Sequence, residues 1–139
     1  LMVKFTVSRK KVKMYKELVI SFVVILVVIV VNFVMGKFVD DKLNRVMDLL
    51  SEMRIAIQEK DYNKANNKAD EIEKHWESSE KFLSCYIEHD ELEKVETEFT
   101  SLKACLEITE EDSLEYIDRM KFIVEHIEKK DDFVLENIF

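Results

Sequence analysis

Two kinds of hydrophobic pattern divide this chain. From Leu18 to Met35 the sequence reads LVISFVVILVVIVVNFVM, an apolar run broken only by Ser21 and Asn32. As a helix it spans about 27 Å, close to the ~30 Å hydrocarbon core of a bilayer. Tyr15, Phe33 and Phe38 stand where interfacial aromatics sit, and Lys16 and Lys37 bracket the run as snorkelling cations. The run predicts a spanning helix over 18–35.

After it the pattern turns periodic. Leu43, Val46, Leu50, Met53 and Ile57 recur in steps of three and four, predicting a helix from about Phe38 to Lys60. Tyr62, Ala65, Ala69, Ile72 and Trp76 repeat the stepping after a cap at Asp61, in a helix reaching as far as Ile87. Leu92, Val95, Phe99, Leu102 and Leu106 form a third stripe, with Asp90 as its cap and Glu93 completing a capping box. The polar stretch Thr109 to Asp112 ends that helix. Asp112 or Ser113 then caps a fourth, carrying Ile117, Met120, Val124 and Ile127, with Lys129 and Lys130 suited to its negative C-terminal end.

Each stripe lasts about two heptads, too short for a self-sufficient coiled coil. The expected fold is therefore all-α: an N-terminal transmembrane helix followed by a small antiparallel bundle of about four helices, arranged as two hairpins. DYNKANNKA, from Asp61 to Ala69, resembles the turn of a tetratricopeptide-like hairpin, but a shift of about 34 residues lands on Val95-Glu96-Thr97 and finds no repeat.

Composition agrees with helices throughout. The 139 residues include no proline, and Gly36 is the one glycine. Charge is divided unevenly within the net of -8. Residues 1–17 carry six basic side chains against Glu17, a balance of +5, whereas residues 37–139 carry 15 basic and 28 acidic ones, a balance of -13. An acidic domain repels phosphate backbones, so nucleic acid is excluded as a partner.

Lys4, Arg9, Lys10, Lys11, Lys13 and Lys16 precede the run, against Lys37, Lys42 and Arg45 over a similar distance after it. The positive-inside rule then predicts a basic cytoplasmic tail (1–17) and an acidic extracytoplasmic domain (37–139) in the cell membrane. A start at Met14 would remove five of the six charges. The rival is a cleavable signal peptide with Val34-Met35-Gly36 as its cleavage site. The run exceeds the ~7 to 15 residues of a typical signal and no Ala-x-Ala follows it, which favours a retained anchor.

Candidate chemistry is sparse. His75, His89 and His126, with Glu71, Asp90, Glu91 or Glu125, invite a metal reading. A di-iron bundle, however, needs Glu-x-x-His, and Ile72, Tyr86 and Ile123 stand three residues before the histidines. HExxH, CxxC, a nucleophile elbow and a phosphate loop are all lacking, so neither an enzyme nor a cofactor is expected. The acidic runs Glu88 to Glu98 and Glu107 to Asp112 lack the central glycine of a calcium loop and read as solvated helix faces. Cys85 and Cys105 fall too far apart along a hairpin to bridge. The residues that merit weighing are Trp76, His75, His89, Asp90 and Glu91. Trp76 would anchor the core near His89 at a helix turn, or else stand exposed beside His75 and His89 as a binding hot spot.

The short anchor, Trp76, His89-Asp90-Glu91 and the ending Leu135-Glu136-Asn137-Ile138 together resemble domain of unknown function family 4363, small membrane proteins of low-GC Gram-positive bacteria. The resemblance spans about Met14 to Phe139. It implies no activity and makes an accessory subunit of an integral membrane partner plausible. Two functions follow as expectations: a structural or protein-interaction module, or an extracytoplasmic ligand-sensing or metal-binding bundle. The first needs an exposed apolar patch near the membrane-proximal helix, the second an internal pocket with convergent polar groups.

Overall fold

The computed structural model describes residues 2–108 and 112–136, with side-chain surroundings for 12–108 and 112–130. Among the described residues four helices follow in order: α1 Met2–Gln58, α2 Tyr62–Leu83, α3 His89–Ile108 and α4 Ser113–Glu136, with no strand. The all-α expectation holds. Thr109 to Glu111 of the predicted break, the side chains of Lys4, Arg9, Lys10, Lys11, Leu135 and Glu136, and Asn137 and Ile138 of the ending lie outside what is described.

The chain divides into two compact units, Leu1–Lys37 and Phe38–Phe139. In the first, one helix is long and apolar enough to cross a membrane, and its most apolar stretch has no buried residues. Asn32, a polar side chain within this stretch, donates its Nδ2 hydrogen to the Val28 carbonyl at 2.9 Å, so the amide is partly satisfied inside its own helix. Lys37 folds back with its ammonium 5.3 Å from the centre of the Phe33 ring. The sequence separated the apolar run from the helix beginning at Phe38, but both lie in α1 and helical backbone passes through Gly36. A lone glycine weakens a helix by about 1 kcal/mol. It becomes a stop when it takes positive φ, and Gly36 does not.

In the second unit the stripes meet in one core. Every residue of the first, third and fourth stripes is buried, and so are Ala65, Ala69, Ile72 and Trp76 of the second, with Tyr62 half-buried. Val39, Leu49 and Ala56 also enter the core, broadening the α1 face beyond the two-residue seam to the width a bundle helix needs.

Polar contacts fix the order of the helices. Along α1, Lys42, Arg45 and Glu52 meet His75, Glu71 and Lys68 of α2, so numbers rise on one helix as they fall on the other. Trp76 and Glu73 of α2 meet Glu96 and Lys103 of α3 in the same sense. Lys130 of α4 meets Glu91 of α3 and Glu88 just before it, and Arg54 of α1 closes the ring on Asp118 of α4. The unit is an antiparallel bundle with each helix beside the next and the last beside the first.

The turns explain where the helices stop. Lys60 takes φ 59, its amide donates to Ile57 O at 3.0 Å, and the Asp61 amide donates to Ala56 O at 2.9 Å. This is a Schellman closure with lysine at the left-handed position usually given to glycine. Asp61 then turns its carboxylate to the Lys64 amide at 3.0 Å and caps α2, as the sequence predicted. α2 ends at Leu83 rather than Ile87. Ile87 is buried in the turn, where its amide donates to Leu83 O. The third cap also shifts. α3 opens at His89, the Glu88 carbonyl accepts from the Glu91 and Leu92 amides, and Asp90 lies within the first turn, not at its cap. Asp112 precedes α4, its carbonyl accepting from the Glu115 amide.

Candidate interaction surface

The five residues singled out by the sequence do not converge. Trp76 is on the buried face of α2, where the 3.6-residue repeat sets it one turn beyond Ile72. Its ring is 7 % exposed, and Nε1–H donates to Glu96 Oε1 on α3 at 3.2 Å. The indole thus buries its hydrocarbon and still satisfies its one donor. Glu96 lies seven residues beyond His89, roughly 10 Å along α3, so Trp76 packs against the body of that helix and not the connecting turn.

His75 points the other way, toward α1. Its Nε2 lies 3.0 Å from the Lys42 carbonyl, an acceptor only, so that nitrogen carries the proton. The carbonyl of His75 in turn accepts the hydroxyls of Ser78 and buried Ser79, each at 2.8 Å. Neighbours in sequence, His75 and Trp76 therefore fasten α2 to two different helices.

Glu91 departs from the solvated face predicted for the Glu88 to Glu98 run. Its side chain is 12 % exposed and its Oε1 lies 2.9 Å from Lys130 Nζ, which also reaches Glu88 at 3.1 Å. These two carboxylates hold the Lys130 ammonium above the ordinary lysine range, the Glu91 bond first. His89 and Asp90 are exposed at the start of α3, and Glu125 and His126 are exposed on α4. Glu71 is engaged by Lys68 at 3.0 Å and Arg45 at 3.7 Å. No group of three or more His, Cys, Asp or Glu side chains placed to hold a metal occurs among the described residues.

Cys85, exposed with its Sγ 3.4 Å from Lys81 O, and Cys105, half-buried, are not joined by a disulfide. Two open grooves flank α3. One is lined by Asp90, Glu93, Lys94, Thr97, Glu98 and Ile123, the other by residues that include Cys105, Tyr116 and Arg119. Both are surface troughs and neither is an enclosed cavity.

A cluster the sequence did not assemble lies where α1 enters this unit. Phe38 and Phe82 meet edge to face with centroids 4.7 Å apart, and Phe82 and Tyr86 are 5.3 Å apart. Lys42 holds its ammonium 5.2 Å from the Phe38 ring centre. Phe38 remains 46 % exposed and Tyr86 41 %. The sequence placed Phe38 in an interfacial belt. The available signal for the others was the four-residue spacing of Phe82 and Tyr86, which brings two rings to one side of a helical stretch.

Residues 33–138 match a family described as Domain of unknown function (DUF4363), in agreement with the resemblance drawn from Trp76 and His89-Asp90-Glu91. Neither a curated protein nor a solved structure matches the chain.

Proposed function

Because this chain belongs to the DUF4363 family, whose description names no activity, we propose from its geometry that it is a membrane-anchored structural or protein-interaction module. Residues 18–35 are the anchor, and the acidic bundle is the working part, held outside the cytoplasm by the +5 tail before the span. It serves as an accessory subunit to an integral membrane protein.

The observation that carries this reading is the fate of the candidate ligand-site residues. Trp76, His75 and Glu91 are occupied by contacts that join the helices to one another. A ligand sensor keeps such groups convergent on a cavity, whereas a bundle that spends them on internal ties acts through its outer surface. Apolar side chains on that surface include Ile55 of α1, at 50 %, and Phe122 of α4, at 72 %.

The test is to isolate the full chain from its native membrane in mild detergent at natural abundance and determine the mass and composition of the particle. A stoichiometric complex with a second integral membrane protein supports the proposal. A chain that runs alone or only with copies of itself rejects it.

A further inference from the structure

We propose that Phe38, Phe82 and Tyr86 form a foot that seats the helical bundle in the headgroup layer of the bilayer, with lipid as its occupant. This rests on the reading of residues 18–35 as a span and says what the adjoining surface of the bundle is for.

Chain length sets the first constraint. Three peptide units separate Phe38 from Met35, the end of the apolar run, so its backbone lies within about 11 Å of that end in any arrangement of the two units. Phe82 and Tyr86 are tied to Phe38 by successive ring contacts of 4.7 and 5.3 Å, so the whole cluster is bound to stay near the membrane surface. The interfacial layer on each side of the hydrocarbon is roughly 5 to 8 Å thick, comparable to the depth of such rings.

Size argues for lipid over a protein partner. Aromatic side chains present ~150 to 250 Å² each. With Phe38 and Tyr86 less than half exposed and Phe82 partly covered, the patch offers roughly 250 Å², far below the ~800 Å² per partner of a stable protein interface. Aromatic rings with an apolar body and, in Tyr86, a hydroxyl tip are the groups that settle at headgroup depth. Lys42, over the outer Phe38 ring, adds a cation that can reach lipid phosphate.

The full chain is reconstituted in phosphatidylcholine vesicles containing lipid brominated near the top of the acyl chain. Tryptophan reporters are placed by Tyr86→Trp, and separately by Phe82→Trp, in a Trp76→Phe background. Tyr116→Trp, at the opposite end of the bundle, is the comparison. Circular dichroism checks that each variant is folded, and carbonate extraction checks that it is integrated.

Strong loss of emission from the Tyr86 and Phe82 reporters, with little from the Tyr116 reporter, supports the foot. Equal weak quenching at all three positions in integrated chains overturns it and leaves the span reading intact. Chains that wash off in carbonate overturn both.

Discussion

Trp76 and Glu96 join α2 to α3 through an indole N–H donated across 3.2 Å to a carboxylate oxygen, at a ring only 7 % exposed. Cutting a buried tryptophan to alanine costs about 3 to 5 kcal/mol, a large share of the stability of a domain this small. Trp76→Ala is expected to unfold or nearly unfold the bundle, while Trp76→Phe keeps most of the hydrocarbon and melts at an intermediate temperature. Thermal melts followed by circular dichroism decide it. An unshifted curve for Trp76→Ala would contradict the packing described here.

The turn between α1 and α2 makes a paired prediction. Asp61 supplies both a backbone amide that closes α1 and a carboxylate that caps α2, so Asp61→Ala should lower stability by about 1 kcal/mol. Lys60 occupies a left-handed conformation that glycine adopts without steric cost, and Lys60→Gly should raise stability by up to about 1 kcal/mol. Urea titrations of the two variants should shift in opposite directions. Shifts of the same sign would mean that the left-handed turn is misplaced.

Lys129 and Lys130 are adjacent and formally equivalent, but only Lys130 reaches the sheltered carboxylate of Glu91. Removing that cation leaves a carboxylate facing the core without its partner. Lys130→Ala should lower the melting temperature clearly and Lys129→Ala hardly at all. Equal effects would show that the Glu91 pair adds nothing.

Stability should follow pH in a defined way. Lys68 bonds to Glu52 and holds that carboxyl below its ordinary range, so the stabilisation is present above about pH 4.3 and lost as pH falls through the depressed folded value. Bonds to carboxylates hold Lys68, Lys103 and Lys130 above the usual lysine range. Their contribution is present below about pH 10.4 and lost as pH rises through the elevated folded values. From these groups, melting temperature should fall as pH drops below about 4.3 and again as it rises above about 10.4. The acid limb should be shallower in Glu52→Gln, and a limb identical to that of the parent chain would count against the pair.

Cys85 is exposed near the Phe82 and Tyr86 rings, and Cys105 is half-buried on α3. If the acidic domain is extracytoplasmic, a membrane-impermeant maleimide added to intact cells should modify Cys85 rapidly and Cys105 slowly, with the fast phase lost in Cys85→Ser. Labelling that begins only after the cells are lysed would reverse the proposed orientation.

Much of the fold could be read from the sequence because the bundle is simple in the terms a sequence expresses. Steps of three and four from Leu43 to Ile57 and from Ile117 to Ile127 can be satisfied only by burying one helical face, and those residues are the core. Boundaries were harder. Lys60 holds a conformation more often signalled by glycine, and the α3 cap moved because a backbone carbonyl, that of Glu88, does what the Asp90 side chain was expected to do. The functional candidates scattered because Trp76, His75 and Glu91 are adjacent or clustered along the chain yet face α3, α1 and α4 in turn. The Phe38, Phe82 and Tyr86 cluster joins residues 44 positions apart and needed the tertiary fold to become visible.

Arg54 and Asp118, 64 residues apart, meet at the edge where α4 lies against α1, whereas the other three edges join helices that follow each other directly. Most pairings can therefore form while the chain is still being delivered, one hairpin after another. The α1 edge stays open until the last helix arrives. During that interval the apolar faces of α1 and α3 are incompletely covered. In the finished bundle that seam is closed by a pairing of the two helices farthest apart in sequence, the one edge that no short turn holds together.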